Sequence, residues 1–200
     1  MKTIIISVLF TTILLMSCGK KEVKLCDGFK LKEPTLTDDL DYEIINTILD
    51  SIYGNFKFIH INQKTSFNVN IENLIISLQN QNIEIDTLLI SNYKSKNDIN
   101  YFLSNKFEQK NVQLVTDEEL ECLLNGDDDI FSAWDNYYKK YPISSGNYIF
   151  YRPGFNINND VAIIEYEWYA GPETGEAYIV LLEKQNNKWK IIHYFVTSAS

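Results

Sequence analysis

The sequence predicts an α+β domain in which N-terminal helices with one or two short strands precede a C-terminal four-stranded antiparallel meander. Apolar residues recur with the helical period in most segments up to Pro142, whereas from Gly146 they alternate or form short runs. The short turns between the C-terminal segments favour antiparallel neighbours. With 200 residues, of which 45% are hydrophobic and 22% are charged, the chain can form one domain with a sizeable core.

The first predicted elements are a helix, a strand and a second helix. Residues 38–53 predict a helix because Thr37 can cap it, aspartates lie in its first turn, and isoleucines follow at helical spacing. Residues 56–63 alternate between two faces, which predicts a strand. Residues 70–80 predict the second helix, because their leucines fall on one helical face.

The middle of the chain predicts short elements. In chain order they are a helix from Asp86 to Tyr93, a helix from Asn97 or Asp98 to Leu103, a strand over 112–115, a helix from Thr116 to Asn125, and a helix from Asp128 or Asp129 to Tyr141. Thr116 and Glu119 form a capping box, in which each side chain accepts a hydrogen bond from the other residue's exposed amide. Pro142 ends the last of these helices.

The C-terminal part of the chain has the composition and period of strands. The predicted strands are 147–152, 161–169, 177–184 and 188–197. Gly and Pro at 171–175 and Asn at 186–187 indicate turns between the last three. Some of these strands are apolar on both faces, so we expect one face of the meander to pack on the preceding helices.

The N-terminus has the pattern of an export signal. Lys2 precedes an apolar run over 4–16, which is too short to span a bilayer, since a spanning helix needs about 20 residues. Leu15, Met16, Ser17 and Cys18 follow, and this stretch resembles the lipobox of bacterial lipoproteins. The resemblance implies that the chain is cleaved before Cys18 and that Cys18 is lipidated.

The lipobox predicts the division of the chain and its location. Residues 1–17 form the signal peptide, 18–35 the lipidated N-terminus and tether, and 36–200 a single globular α+β domain. We expect the protein in the cell envelope, bound to a membrane through the lipid on Cys18. Whether it lies on the periplasmic face or at the cell surface stays open.

The charge of the chain restricts its partners. The formal net charge is −9, and a nucleic-acid-binding protein needs a basic surface, so we expect no nucleic acid partner. Acidity keeps the protein soluble and suits a basic partner only weakly. The sequence has no glycine-rich phosphate loop, and we expect no cofactor.

Cys26 and Cys122 are the other two cysteines. An exported chain meets an oxidising compartment, so they can form a disulfide, and the alternative is two separate thiols. Neither cysteine has a CxxC or HxxxH neighbour, so we expect no metal site there. Asp127, Asp128 and Asp129 lack the spacing of a calcium loop and are better explained as helix caps.

The C-terminal third resembles a group of uncharacterised lipoproteins of the Bacteroidetes type. The resemblance covers roughly residues 128–192, and its most specific element is the Arg-Pro-Gly-Phe-Asn stretch over 152–156. In that group the Gly-Pro turn often carries two cysteines, at places that Ala170 and Thr174 occupy here. The resemblance implies a fold and a location but no activity.

Two sets of residues could carry chemistry. Glu165 and Glu167 lie on one face of a predicted strand, and paired carboxylates can hydrolyse glycosides, although most such pairs are a solvated face. His60 and His193 each lie within a strand pattern without a sequence-local partner, which favours structural roles. We therefore assign no catalytic residue.

Aromatic residues give the strongest indication of function. They make up 14% of the chain and cluster between Trp134 and Tyr169, and rigid aromatic side chains at a surface bind sugars or proteins well. The alternative is that they belong to the core, because Phe131, Trp134 and Tyr138 share one helical face. Arg152, the only arginine, lies in this cluster and could bind a carboxylate or stack on a ring, and structural pairing with a nearby Asp or Glu is the favoured role. We expect a non-enzymatic binding module with a protein or glycan ligand, and the candidate binding residues are Trp134, Tyr151, Arg152 and Trp168. The alternative is a hydrolase of envelope or glycan substrates that uses paired carboxylates.

Overall fold

A computed structural model describes residues 26–53, 58–84, 86–124 and 130–199. The expected signal peptide, Cys18, residues 18–25 of the expected tether and the aspartates 127–129 lie outside these ranges. Within them, no helix is long and apolar enough to cross a membrane.

The described ranges contain five helices and seven strands. The helices are α1 (Asp39–Tyr53), α2 (Ile71–Asn80), α3 (Thr87–Lys96), α4 (Asp117–Leu124) and α5 (Ile130–Lys140). The strands are β1 (Phe58–Asn62), β2 (Val112–Val115), β3 (Ser144–Phe150), β4 (Gly154–Phe155), β5 (Val161–Gly171), β6 (Thr174–Gln185) and β7 (Lys188–Ala199). The predicted α+β class is confirmed.

The strands form one mixed sheet in the order β2-β1-β3-β5-β6-β7, with β4 beside β5. The last four strands of this order are antiparallel, as expected, but they are not a separate meander. The sheet continues beyond β3 into β1 and β2, which run parallel to their neighbours. The prediction was inexact because parallel pairing joins strands that are far apart in the sequence and leaves no turn signal.

The face of the sheet toward α1 carries the largest core. Helix α1 buries its isoleucines against alternate residues of the strands, including Ile59, Ile61 and Ile164. Trp189 of β7 also packs here, and its indole N–H donates to Glu43 of α1. These apolar contacts and the hydrogen bond from Trp189 to Glu43 therefore hold α1 against this face of the sheet.

Two smaller cores lie on the opposite face. One contains Leu74 and Leu78 of α2, Leu89 and Tyr93 of α3, and the residues of β5 and β6 beneath them. The other joins α4 and α5 to Val115 of β2 through Leu120, Leu123, Trp134, Tyr137 and Tyr141. The sheet is thus covered on both sides, by α1 on one face and by two helix pairs on the other.

Asp41 links the two helical layers around the end of the sheet. Its carboxylate, on α1, is fully buried and accepts hydrogen bonds from Lys96 of α3 at 2.6 Å and from Arg152 at 2.7 Å. Asn97, directly after α3, bonds to the backbone N–H and C=O of Arg152. Separating a buried carboxylate from its two cations costs much free energy, so the contacts of Asp41 with Lys96 and Arg152 fix α1 relative to α3.

The predicted helix from Asn97 or Asp98 to Leu103 is wrong. The segment is not helical: residues 97–99 form a turn, and the backbone after them pairs with other parts of the chain, where the Leu103 N–H donates to the Gln63 C=O and the Phe102 C=O accepts from Thr35 and Leu36. Leu103 is fully buried in the core beneath α1. Tertiary hydrogen bonds and burial outweigh the local helical pattern here.

The described part of the expected tether, residues 26–35, is fixed to the domain. Cys26 and Cys122 form a disulfide, with their Cα atoms 5.7 Å apart and a sequence separation of 96. The backbone N–H and C=O of Lys32 exchange hydrogen bonds with the Gln63 side chain at 2.8 and 2.7 Å. The segment after Cys18 therefore joins the domain at Cys26, beside α4.

We expect the double substitution Cys26→Ser and Cys122→Ser to lower the free energy of unfolding by about 2–5 kcal/mol, because the bond closes a long loop in the unfolded chain. Urea titration monitored by circular dichroism would measure the loss. Reductant should lower the stability of the wild type and leave that of the double variant unchanged. Equal stability of the oxidised wild type and the double variant would contradict this expectation.

Candidate functional site

A tyrosine-lined recess lies on the α1 face of the sheet, where α1 ends. We call it the tyrosine recess, and its described lining residues are Ile52, Tyr148, Tyr166, Trp168, Glu176, Tyr178 and Tyr194. Its volume is about 240 Å³. Ile52 belongs to the last turn of α1 and the other residues to the sheet. The recess is therefore a part of the sheet face that α1 leaves uncovered.

Four neighbouring strands each contribute one tyrosine to the floor of the recess. Tyr166 of β5 stacks on Tyr178 of β6, with ring centroids 4.8 Å apart and an interplanar angle of 22°. The rings of Tyr178 and Tyr194 are 5.1 Å apart, and those of Tyr148 and Tyr166 are 6.2 Å apart. Such cross-strand aromatic contacts stabilise a sheet and also build a rigid aromatic surface.

The polar groups of the recess are hydroxyls and one carboxylate. The Tyr166 and Tyr194 hydroxyl oxygens are 2.5 Å apart, and the Tyr178 hydroxyl donates to Glu176. Burial raises the pKa of Tyr148 to about 12 and also raises the pKa of Tyr166 and Tyr194. Tyr148, Tyr166 and Tyr194 are consequently neutral at physiological pH, and a neutral tyrosine hydroxyl can both donate and accept hydrogen bonds.

Trp168, one of the four candidate binding residues, lines the recess. It lies directly across from Glu176 on β6 and Tyr148 on β3. Its indole N–H donates to the backbone C=O of Ser145 at 2.7 Å, which fixes the orientation of the ring. Trp168 therefore presents an oriented, partly buried ring to the recess.

Trp134 packs instead within the core that α4 and α5 form. Its side chain is 8% exposed, and its ring contacts those of Tyr137 and Tyr138, with centroids 5.1 and 6.0 Å apart. The aromatic cluster that the sequence indicated, which grouped Trp134 with Trp168, therefore contains residues from two different faces of the sheet. Trp134 belongs to the opposite face and contributes to the packing of α5.

Arg152 is engaged in the Asp41 junction. Its guanidinium bonds to Asp41 and stacks over the Tyr101 ring, with 4.4 Å between the guanidinium carbon and the ring centroid. Burial raises the pKa of Asp41, and Lys96 and Arg152 oppose that rise. The carboxylate partner that we expected for Arg152 is thus part of the protein itself.

Tyr151 and the two candidate carboxylates lie together on the face opposite the recess. Tyr93 donates to Glu165 at 3.1 Å, while Tyr151 and Tyr169 donate to Glu167 at 3.2 and 2.8 Å. Burial raises the pKa of Glu165 to about 7, with a smaller contribution from Glu167, and the hydrogen bond from Tyr93 opposes the rise. Three tyrosine hydroxyls thus donate hydrogen bonds to Glu165 and Glu167, the carboxylates that hydrolysis would require.

His60 has a partner that the sequence did not indicate. Its Nδ1 lies 2.7 Å from the Ser144 hydroxyl oxygen, which is also 3.0 Å from the Tyr137 hydroxyl oxygen. Burial lowers the pKa of His60 to about 4, so the imidazole is neutral at physiological pH. The Tyr141 ring packs over it at 4.1 Å. His60 is 2% exposed, which supports the expected structural role.

Further features bear on the expected ligands. His193 lies on β7 in an exposed position, so the two histidines are in different parts of the sheet. In the part of the chain that the structure describes, no group of three or more His, Cys, Asp or Glu side chains could hold a metal ion.

No protein-family model matches the chain, and the searches of curated proteins and solved structures found no match. Function must therefore be argued from the geometry of this chain.

Sequence patterns alone identified only part of the recess. Tyr166 and Trp168 are two residues apart in a strand pattern and so share a face, which was available as a signal. Tyr178 and Tyr194 join them only because of the register, which pairs Tyr166 with Tyr178 and Val180 with Tyr194. A single sequence does not specify that register.

We expect the pH dependence of stability to change in the variant Glu165→Gln. Because the folded pKa of Glu165 is raised above its unfolded value, the folded state retains a proton and the wild type loses stability as pH rises through 7. The variant should gain about 2 kcal/mol relative to the wild type between about pH 5 and about pH 8.

Urea titrations of wild type and variant at each pH would measure this gain. The difference between the two proteins is needed because His60, with its lowered pKa, gives the wild type an opposite slope at lower pH. Glu173→Gln, in the exposed turn between β5 and β6, is the control and should follow the wild type. A gain that does not vary with pH would contradict the expectation.

Proposed function

We propose that this protein is a lipid-anchored envelope lipoprotein that binds a carbohydrate group in the tyrosine recess. The proposal is carried by one observation, the row of four tyrosines from four adjacent strands, in which the buried Tyr148 and Tyr166 support the accessible rings of Tyr178 and Tyr194, flanked by Trp168 and Glu176. Sugars have apolar C–H faces that pack on aromatic rings and hydroxyls that exchange hydrogen bonds with polar groups. The recess offers both kinds of contact within one concave surface.

The size and charge of the recess support a small neutral ligand group. Its volume of about 240 Å³ is below the roughly 300–1,000 Å³ that is usual for sites of drug-sized molecules, so it suits a single ring of a larger glycan. Among the described lining residues, Glu176 is the charged one, and no lysine or arginine is present to attract an anion. Phosphorylated or acidic sugars are accordingly disfavoured.

The lipoprotein part of the proposal has independent support from the disulfide. Disulfides persist in exported proteins and are rare in the cytosol, so the Cys26–Cys122 bond favours an oxidising compartment. The bond also attaches the chain close after Cys18 to α4, so a lipid at Cys18 would hold the domain through a short segment. Both points agree with the lipobox pattern.

The alternative hydrolase has weaker support. Glu165 combines a raised pKa with a neighbouring carboxylate, as a general acid does. Its carboxylate, however, accepts a hydrogen bond from the hydroxyl of Tyr93, a fully buried side chain, and five well-formed recesses among the described residues are lined by residues other than Glu165 and Glu167. We therefore favour binding over hydrolysis.

We expect Tyr194→Ala to weaken sugar binding about threefold to tenfold, because it removes one ring from the recess. Calorimetric titration of the mature protein with N-acetylglucosamine, glucose and their β-1,4-linked oligomers would measure the change. Tyr169→Ala is the matched control, because Tyr169 is 38% exposed, against 44% for Tyr194, and lies on the other face of the sheet. The control should bind like the wild type.

Two results would count against a carbohydrate site in the recess. One is the absence of heat and of tryptophan fluorescence change with every sugar in the series. The other is equal weakening by Tyr194→Ala and Tyr169→Ala, which would indicate a site elsewhere or a general loss of stability. Thermal unfolding of each variant would separate these last two causes.

We expect the lipid to depend on Cys18. Cells that express the wild type and are fed radiolabelled palmitate should yield a labelled protein in the membrane fraction, and Cys18→Ala should remove the label, because the thiol is the site of acylation. Cys122→Ala is the control for a general effect of losing a cysteine and should keep the label. Label that persists in Cys18→Ala would refute the lipid assignment.

A further inference from the structure

Strand β7 forms an edge of the sheet over its whole length. It pairs with β6 on one side, and no other described strand lies on its outer side. The strand runs for 12 residues, from Lys188 to Ala199. An edge strand of this length presents a row of backbone N–H and C=O groups that can pair with another chain.

Two of the usual protections of an edge strand, charged residues and proline, are missing from most of β7, whereas register shifts against β6 at Ile192 and Thr197 leave residues 193–196 as its regular central stretch. Residues 191–199 contain no charged side chain and no proline, and Lys188 and Lys190 lie at the beginning of the strand. Ile192, Tyr194 and Val196 are 42%, 44% and 48% exposed. Long, uncharged and apolar edges are the ones that pair with further strands.

The same stretch carries no acidic residue, although the chain as a whole is acidic. The chain has a net charge of −9, yet no Asp or Glu follows Glu183. Two like-charged molecules repel each other least where neither carries acidic residues, and two-fold symmetric pairs are the commonest soluble oligomers.

We propose that two copies of this chain associate through antiparallel pairing of their β7 strands, forming a continuous sheet. A register centred on Phe195 would place Tyr194 opposite Val196 of the second copy, and the reverse. Aromatic and β-branched side chains are favourable cross-strand partners. Tyr194 and Val196 lie opposite Val180 and Tyr178 of β6, so they face the side of the sheet that carries the tyrosine recess.

The pairing would therefore extend the floor of the tyrosine recess. Tyr194 lies at the rim of the recess on the edge strand, and Val196 of the second copy would lie beside it. Two recesses would then face the same side of one sheet, where they could bind two rings of one polymer. The association depends on β7 alone, so it can be tested without any ligand and stands or falls separately from sugar binding.

Sedimentation velocity of the mature protein in detergent, corrected for bound detergent, would test the association. We expect a dimer at about 10 µM for the wild type and a monomer for Val196→Lys, whose added charges disfavour the pairing, with a dimer Kd at least about 30-fold higher. Thr197→Lys, on the other face of the same strand, is the second variant and should have the same effect. Ile157→Lys is the control, at a 78% exposed position away from β7, and should remain dimeric.

The outcome is informative in each case. A wild type that stays monomeric at about 100 µM would overturn the proposal, as would a dimer that both lysine variants leave unchanged. Circular dichroism and thermal unfolding would show whether the variants fold. If Val196→Lys does not fold, Thr197→Lys alone tests the proposal: a monomer supports it, and an unchanged dimer overturns it.

Discussion

The alternation of side chains along β5 divides this molecule into two parts with different chemistry. Residues at even positions, among them Ile164, Tyr166 and Trp168, face α1 and end in the tyrosine recess. Residues at odd positions, among them Glu165 and Glu167, face the opposite layer and bond to tyrosines there. A strand cannot slip by one residue without exchanging these sets, so the register of β5 determines where each group lies.

The helices on the two faces of the sheet, α1 on one and α3 on the other, are also joined to each other by a charge cluster. Asp41 of α1 bonds to Lys96 of α3 and to Arg152, which precedes β4, so helices from opposite faces share one buried charge cluster. The position of α1 in turn determines which part of the sheet face stays uncovered. The tyrosine recess begins at Ile52, in the last turn of that helix.

Local patterns in the sequence predicted most elements but not their arrangement. Helix α1 and the three long C-terminal strands follow from apolar periodicity and turn residues, and they were predicted within a few residues of their bounds. Strands β1 and β2 were also predicted, but their parallel pairing, the non-helical 97–103 segment and the two-residue strand β4 depend on contacts between distant parts of the chain. The candidate site shows the same limit, because Trp168 was selected from composition, whereas Tyr178 and Tyr194 required the register.

The central claim is that ligand binds on the even-numbered face of β5. The most direct test is nuclear magnetic resonance of the mature protein with isotope-labelled tyrosine rings, titrated with β-1,4-linked N-acetylglucosamine oligomers. We expect the largest ring shifts at Tyr166, Tyr178 and Tyr194, in the recess. Shifts confined to Tyr93 and Tyr151, beside the carboxylates on the odd-numbered face, would contradict the account and favour a site at Glu165 and Glu167.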